Sequence, residues 1–309
     1  MEYYRCEISH YITIYKLMFH TNYIAPGSLE ELLTVLHHYS GEARVIAGGT
    51  DLIPQMRMGK LTPGILIDPH HLPLSEIAET NEGIHLGALV THTQTLTSPL
   101  LMHAYPALVN ACRNVGGPPV RNRGTLAGNL ANASPAADSA LPLLVYDAQV
   151  VASRISGERL LPIDEFYLGS GQTRLSTDEF IREIKLPKMP LRTMAVFLKL
   201  GNRQAMAIAV ASIAIRLSLD AAGQVIQARV ALGSVAPTPL RAYQAETILQ
   251  SHKINETTIR LAAQAARQAA CPISDVRASA EYHTKMVEVL TRRALDMLCS
   301  AIAIGIDHG

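Results

Sequence analysis

Two glycine-bearing segments about seventy-five residues apart have the composition of a cradle for a nucleotide diphosphate. The first is Ala47-Gly48-Gly49-Thr50-Asp51. The second is Arg121-Asn122-Arg123-Gly124-Thr125-Leu126-Ala127-Gly128-Asn129, running on to Ser134-Pro135-Ala136-Ala137-Asp138. A diphosphate needs several backbone N–H groups converging on it with no Cβ in the way, and paired or spaced glycines permit that approach. Thr125 and Asn129 offer short hydrogen-bonding side chains at the rim. The Asp138 carboxylate can accept from a ribose or ribityl hydroxyl.

Each segment also has a plain explanation. Ala-Gly-Gly-Thr-Asp suits an ordinary tight turn. A glycine-rich hairpin followed by an N-capped helix explains Gly124, Gly128, Ser134 and Pro135, but not Thr125, Asn129 and Asp138 at their particular offsets. Neither segment is the G-x-G-x-x-G fingerprint, no Walker lysine follows a glycine loop, and no G-x-S-x-G elbow is present. No nucleophile or acid/base pair stands out, which suits a protein whose chemistry belongs to its cofactor.

The elements that must position these segments follow from periodicity and breakers. Ser28-Leu29-Glu30-Glu31 is an S-x-x-E capping box, opening a helix with Leu29, Leu32, Leu33 and Leu36 on one face. Residues 44–47 form a short strand feeding the Gly48-Gly49 loop, and residues 65–68 and 83–89 are further strands. Pro106 starts a helix running to about Val115, with Leu108, Ala111 and Val115 inward. Gly116-Gly117-Pro118-Pro119 breaks it. Ser134-Pro135 reads as N-cap and N1 of another helix, which places Asp138 in a first turn near the positive end of the dipole. Residues 149–154 and 177–185 read as strands. Beyond Lys188-Met189-Pro190 come antiparallel strands over 196–200, 207–219 and 225–232, with 206–214 equally readable as helix. Two helices close the chain, 256–270 and 280–303, the latter with Met286, Leu290, Leu298 and Ile302 inward. Lys199 reads as an exposed strand-edge charge or, with Arg203, as a cation reaching a cofactor at the domain interface.

At 309 residues the chain suits two domains, with the boundary near residue 190. The net charge of +1 gives no basic face for nucleic acid, and no apolar run approaches the roughly 20 residues of a membrane span. Cys6, Cys112, Cys271 and Cys299 are scattered without a C-x-x-C pair. That argues against an iron–sulfur cluster, a zinc site or a disulfide framework, and fits a cytoplasmic setting. His37-His38 and His70-His71 lack the helical i,i+4 carboxylate partner of a metal site. Residues 1–17 are rich in tyrosine and isoleucine but lack signal-peptide features, and a well-formed start follows at Met18. Met18 is therefore the expected first residue, with 1–17 a non-native or dispensable extension.

The chain resembles the FAD-binding (medium) subunits of the molybdenum hydroxylases, the xanthine dehydrogenase-like and aerobic carbon monoxide dehydrogenase-like enzymes. The resemblance runs from about Met18 to Leu298. It covers Tyr23-Ile24-Ala25-Pro26, both glycine segments, Leu144-Val145-Tyr146-Asp147-Ala148, Ser234-Val235-Ala236-Pro237-Thr238-Pro239 and Arg277-Ala278-Ser279-Ala280-Glu281-Tyr282. It implies an α+β protein: a PCMH-type (vanillyl-alcohol-oxidase-like) FAD-binding domain of two α/β subdomains over 18–190, and a C-terminal α+β domain with antiparallel sheet and helices over 191–309. It further implies non-covalent FAD. Val45, Ile46, Ala47, Gly48, Gly49, Thr50, Asp51 and Leu52 would wrap the diphosphate, assisted by Thr125, Gly128 and Asn129. Asp138 would hold a cofactor hydroxyl, Ile181 and Lys199 would contact the adenine or flavin side, and Val115 would be a further cofactor-binding residue. The molybdenum cofactor and [2Fe-2S] clusters would sit in a large and a small partner subunit, in a dimer of heterotrimers. FAD would pass electrons to NAD, a quinone, oxygen or another acceptor. Two departures stand out: Ala127 where relatives carry glycine, and Ala207-Ile208 where several carry an acid and an aromatic near the flavin. A stand-alone flavin oxidase or dehydrogenase and a degenerate, non-catalytic assembly module are the competing readings.

Overall fold

The computed structural model describes residues 21–250 and 252–303, so the expected start at Met18 lies outside the described residues. Strands β1 (Asn22–Ile24), β2 (Ala43–Val45) and β3 (Ile65–Ile67) form a parallel sheet in the order β1-β3-β2. The helix Leu29–His38 buries Leu32, Leu33 and Leu36. The capping box forms in altered shape: Ser28 accepts from Glu31 N–H, but the Glu31 carboxylate accepts from Gly27 N–H rather than from Ser28.

A second sheet runs β4-β5-β10-β6-β7, built from β4 (Ile77–Thr80), β5 (Gly83–Gly87), β6 (Gln149–Arg154), β7 (Gly157–Pro162) and β10 (Phe180–Pro187). A small hairpin, β8 (Tyr167–Gly169) and β9 (Gln172–Thr173), precedes β10. Five short helices between residues 92 and 131 separate the halves of this sheet in sequence.

The C-terminal sheet is antiparallel, β11 (Thr193–Gly201), β12 (Ala209–Leu219), β13 (Val225–Gly233) and β14 (Leu240–Arg241). The ambiguous 206–214 stretch resolves as strand from Ala209, because every residue of β12 is buried on one face or the other. Ala211, Ile213, Ile215 and Leu217 pack in the core formed with helices Glu256–Ala269 and Ala280–Ala303, whereas Ala214 packs in the N-terminal core with Phe197 and Ala231. The strand's alanines are therefore close-packing residues between two layers, not helix formers.

An ion cluster ties the two cores together. Asp147, left-handed at φ 52° after the helix Ala140–Val145, meets Arg216 at 2.8 Å, Arg229 at 2.8 Å and Arg241 at 3.3 Å. Arg216 is 1% exposed, so this carboxylate neutralises a guanidinium held deep between the layers.

Candidate cofactor site

β2 delivers Ala47–Leu52 to the rim of a cleft of about 440 Å³ lined by Ile46, Ala47, Gly48, Gly49, Thr50, Ile53, Pro54, Asp68, His70, Val120 and Arg123. Ile46 N–H still pairs with Ile67 C=O, and Ile53 N–H with Gly49 C=O. Between them, the six N–H groups of Ala47 to Leu52 donate to no oxygen among the described residues. A run of six free donors at the edge of a cleft is what an anion requires.

The two glycines serve different needs. Gly49 takes φ +69°, the left-handed turn. A Cβ on Gly48 would lie 2.2 Å from Arg123 O and 2.8 Å from Gly124 Cα, so Gly48 exists because the two segments touch backbone to backbone. The second segment is two short helices, Pro118–Arg123 and Leu126–Ala131, and not an open glycine loop. Gly124 sits between them, pinned by His92 N–H to its carbonyl, while Leu126 N–H reaches Val90 C=O. His92 is buried, its imidazole acidity shifted to about 4 by desolvation, and Nδ1 faces Cys112 Sγ at 3.5 Å. Thr125 caps the second helix by accepting from Gly128 N–H at 3.0 Å, and Asn129 is held inward by Ser139 Oγ at 2.7 Å. Ala127 is helical, and its methyl is buried in the N-terminal core.

A second polar centre lies where β11 crosses the N-terminal half. Lys199 Nζ donates to Asp138 Oδ2 at 2.5 Å and to Asn114 C=O at 3.1 Å, with both side chains under 10% exposed. Lys199 is thus neither a strand-edge surface charge nor partnered with Arg203, whose guanidinium bonds Met206 C=O. Nor does the helix expected from Ser134-Pro135 form. Ala133 turns left-handed at φ 47°, and Ser234 N–H donates to Pro135 C=O, a carbonyl a helix would have used itself. Asp138 lies in a turn before the helix Ala140–Val145, and a lysine replaces the dipole as its compensation. Burial pushes the Asp138 carboxyl up to about 6 against the pull of Lys199. Its Oδ1 is buried with no hydrogen-bond partner among the described residues, an acceptor left open for a hydroxyl.

Comparison with known proteins decides the family. Residues 17–189 match the FAD binding domain in molybdopterin dehydrogenase, and residues 196–298 match the CO dehydrogenase flavoprotein C-terminal domain. The chain belongs to the FAD-binding subunits of the molybdenum hydroxylases. It is 31% identical to the 6-hydroxypseudooxynicotine dehydrogenase complex subunit alpha of Paenarthrobacter nicotinovorans, covering 89% of this chain and 93% of that one. It is 31% identical to the carbon monoxide dehydrogenase medium chain of Hydrogenophaga pseudoflava, covering 89% and 95%. A solved carbon monoxide dehydrogenase from that organism, lacking the Mo-pyranopterin moiety, superimposes at a TM-score of 0.86 with 32% identity, covering 89% and 96%. Such an oxidoreductase subunit carries FAD, and the molybdenum cofactor and iron–sulfur clusters reside in partner subunits.

The residues fit FAD. The free N–H run and the Gly48 contact form a diphosphate cradle that any side chain at 48 would disrupt, and Asp138 Oδ1 is an unpaired acceptor. Among the remaining expected residues, Val45 ends β2, and Asp51 is exposed at the start of the helix Leu52–Arg57 without capping it. Val115 lies past the end of its helix at Arg113, and its carbonyl accepts from Arg121. It is part-exposed, not inward like Leu108 and Ala111. Ile181 lies in β10 with its side chain in the N-terminal core, outside the cleft lining. Asp68, His70, Arg123 and Asn114 were not among the expected site residues. Asp68 and His70 lie in a segment with no glycine signal, Asn114 serves through its backbone carbonyl, and Arg123, though inside the second glycine segment, carries no glycine-type signal of its own.

Among the described residues no helix is long and apolar enough to cross a membrane, and no three His, Cys, Asp or Glu side chains gather to hold a metal.

Proposed function

We propose that this chain relays electrons, taking them from the [2Fe-2S] clusters of a small partner subunit and delivering them to NAD, a quinone, oxygen or another external acceptor. It does so beside a molybdenum-cofactor large subunit in a dimer of heterotrimers. In this reading residues 18–190 hold the FAD and residues 191–309 close over it. Val45–Leu52 present backbone donors to the diphosphate, with Thr125, Gly128 and Asn129 behind them. Asp138 accepts from a cofactor hydroxyl through Oδ1. Lys199 keeps that carboxylate oriented, while Val115 and Ile181 shape the walls.

The observation that carries the reading is the unbroken run of free N–H groups from Ala47 to Leu52 over the cleft. When bound, FAD supplies the redox chemistry; the chain's own groups bind, orient and exclude water. The exposed Ile208 and part-buried Ala207 carry no acid or aromatic to set toward the flavin, so the acceptor is selected by other groups.

The test is the visible absorption spectrum of the purified chain, with the released cofactor identified by chromatography. Heat-releasable FAD is expected. A colourless chain that cannot be reconstituted even beside its partner subunits overturns the reading in favour of an assembly module. Reduction of the whole complex, followed by challenge with NAD, a quinone or oxygen, identifies the acceptor.

A further inference from the structure

Besides the backbone cradle, the cleft is lined by side chains with a charge pattern of their own. Asp68, at the end of β3, accepts on Oδ1 from the backbone N–H of His70 at 2.9 Å and pairs with its Nδ1. On Oδ2 it accepts from Tyr23 O–H. Tyr23 and His70 together hold the Asp68 carboxyl below its ordinary range, although desolvation opposes them. With Nδ1 committed to Asp68, Nε2 is the His70 nitrogen left for a ligand. A neutral imidazole there would present a lone pair; protonated, beside a carboxylate, it presents a donor.

Arg123 reaches the same cleft from the second segment. Its near neighbour Arg121 is spent on structure, with Nη1 donating to the carbonyls of Arg113, Val115 and Gly116. The Arg123 guanidinium makes no hydrogen bond or ion pair among the described residues, yet its backbone is locked against Gly48 and its side chain lines the cleft. An arginine fixed at its base and free at its head, in the same cleft as a row of amide donors, is built for a bidentate anion.

We propose that Arg123 and His70 form a cationic side-chain clamp on the FAD diphosphate, in the same cleft as the backbone cradle, with Asp68 and Tyr23 as the residues that position His70. The clamp rests on the FAD reading above and adds two contacts to it. In the clamp His70 meets the phosphate as imidazolium, Nδ1–H on Asp68 and Nε2–H on the ligand. Asp68 contacts the His70 ring directly and Tyr23 contacts Asp68, while Arg123 lines the same cleft.

The test is titration of the deflavinated full-length chain with FAD, and with ADP as a competitor carrying the same diphosphate. R123Q is expected to weaken both ligands about tenfold to a hundredfold, the loss of a charge-assisted hydrogen bond. It should also flatten the salt dependence of binding. Arg123→Lys should recover part of the loss as a point charge. H70Q is expected to weaken both ligands as well, by less than R123Q does. Wild-type affinity for FAD and ADP in both variants overturns the clamp. If R123Q does not fold, H70Q and R123K decide by the same readouts. Wild-type chain that binds neither FAD nor ADP overturns the cofactor reading itself, which keeps the two failures distinct.

Discussion

The cradle at residues 47–52 and the Asp138–Lys199 centre solve one problem, holding a polar ligand inside a protein, by opposite means. The cradle spends no side chains: its donors are backbone amides, part-exposed at a cleft, left unpaired by local chain geometry. The Asp138–Lys199 centre is two buried charges brought together from residues sixty-one apart, and without each other neither would be tolerated. Backbone cradles are local, so they tolerate changes elsewhere and fail only when their own geometry is filled. Buried ion pairs are global, and their failure spreads to the packing of both halves.

That contrast ranks the consequences of substitution. Lys199→Met removes the cation that opposes burial at Asp138 and leaves that carboxyl buried without its partner, so a loss of roughly 3–5 kcal/mol in urea denaturation is expected. Adding Asp138→Asn to it should restore much of that stability without restoring FAD affinity. Wild-type stability in Lys199→Met would show that the pair contributes little.

At the cradle, Gly48→Ala places a methyl against Arg123 O, a contact of 2.2 Å that only movement of the second segment relieves. A loss of about 1–3 kcal/mol is expected, together with loss of FAD on gel filtration. A variant that elutes with full flavin content would mean the two segments need not touch.

The Asp138 centre also has a pH signature. The folded carboxyl binds its proton more tightly than the unfolded one, with a native value of about 6 against an ordinary value of 3.8. The native state therefore holds the extra proton, and stability without FAD falls as pH rises from about 4 to about 6. Subtracting the melting curves of Asp138→Asn from those of the wild type isolates this slope; parallel curves across that window would refute it.

The smallest effect belongs to Ala127. Its methyl packs in the core and its backbone is helical, so Ala127→Gly should cost about 0.5–1 kcal/mol and leave FAD affinity unchanged. Tighter FAD binding by the glycine variant would place the methyl against the diphosphate after all.

Much of the fold was legible. Strand β6, the helix Ala280–Ala303 and the helix opened by Ser28 follow from alternation, 3.6-residue periodicity and a cap, all local signals. The glycine pair at 48–49 was legible as a turn, since a strand followed by two glycines leaves few other conformations. What the sequence misassigned has one source. Ser134-Pro135 carries a strong helix start, yet Ser234 claims the carbonyl that such a helix needs. Lys199 resembles a surface charge until β11 is laid against the end of the helix Pro106–Arg113, where Asn114 and Asp138 surround it. By itself the sequence determined where the chain turns, which faces are apolar and where paired glycines follow a strand, because each depends on neighbours within a few residues. Tertiary structure alone decided which charges are buried, which carbonyls remain open and that Arg123 and His70 share a cleft. Those outcomes depend on partners scores of residues away, whose approach no local pattern encodes.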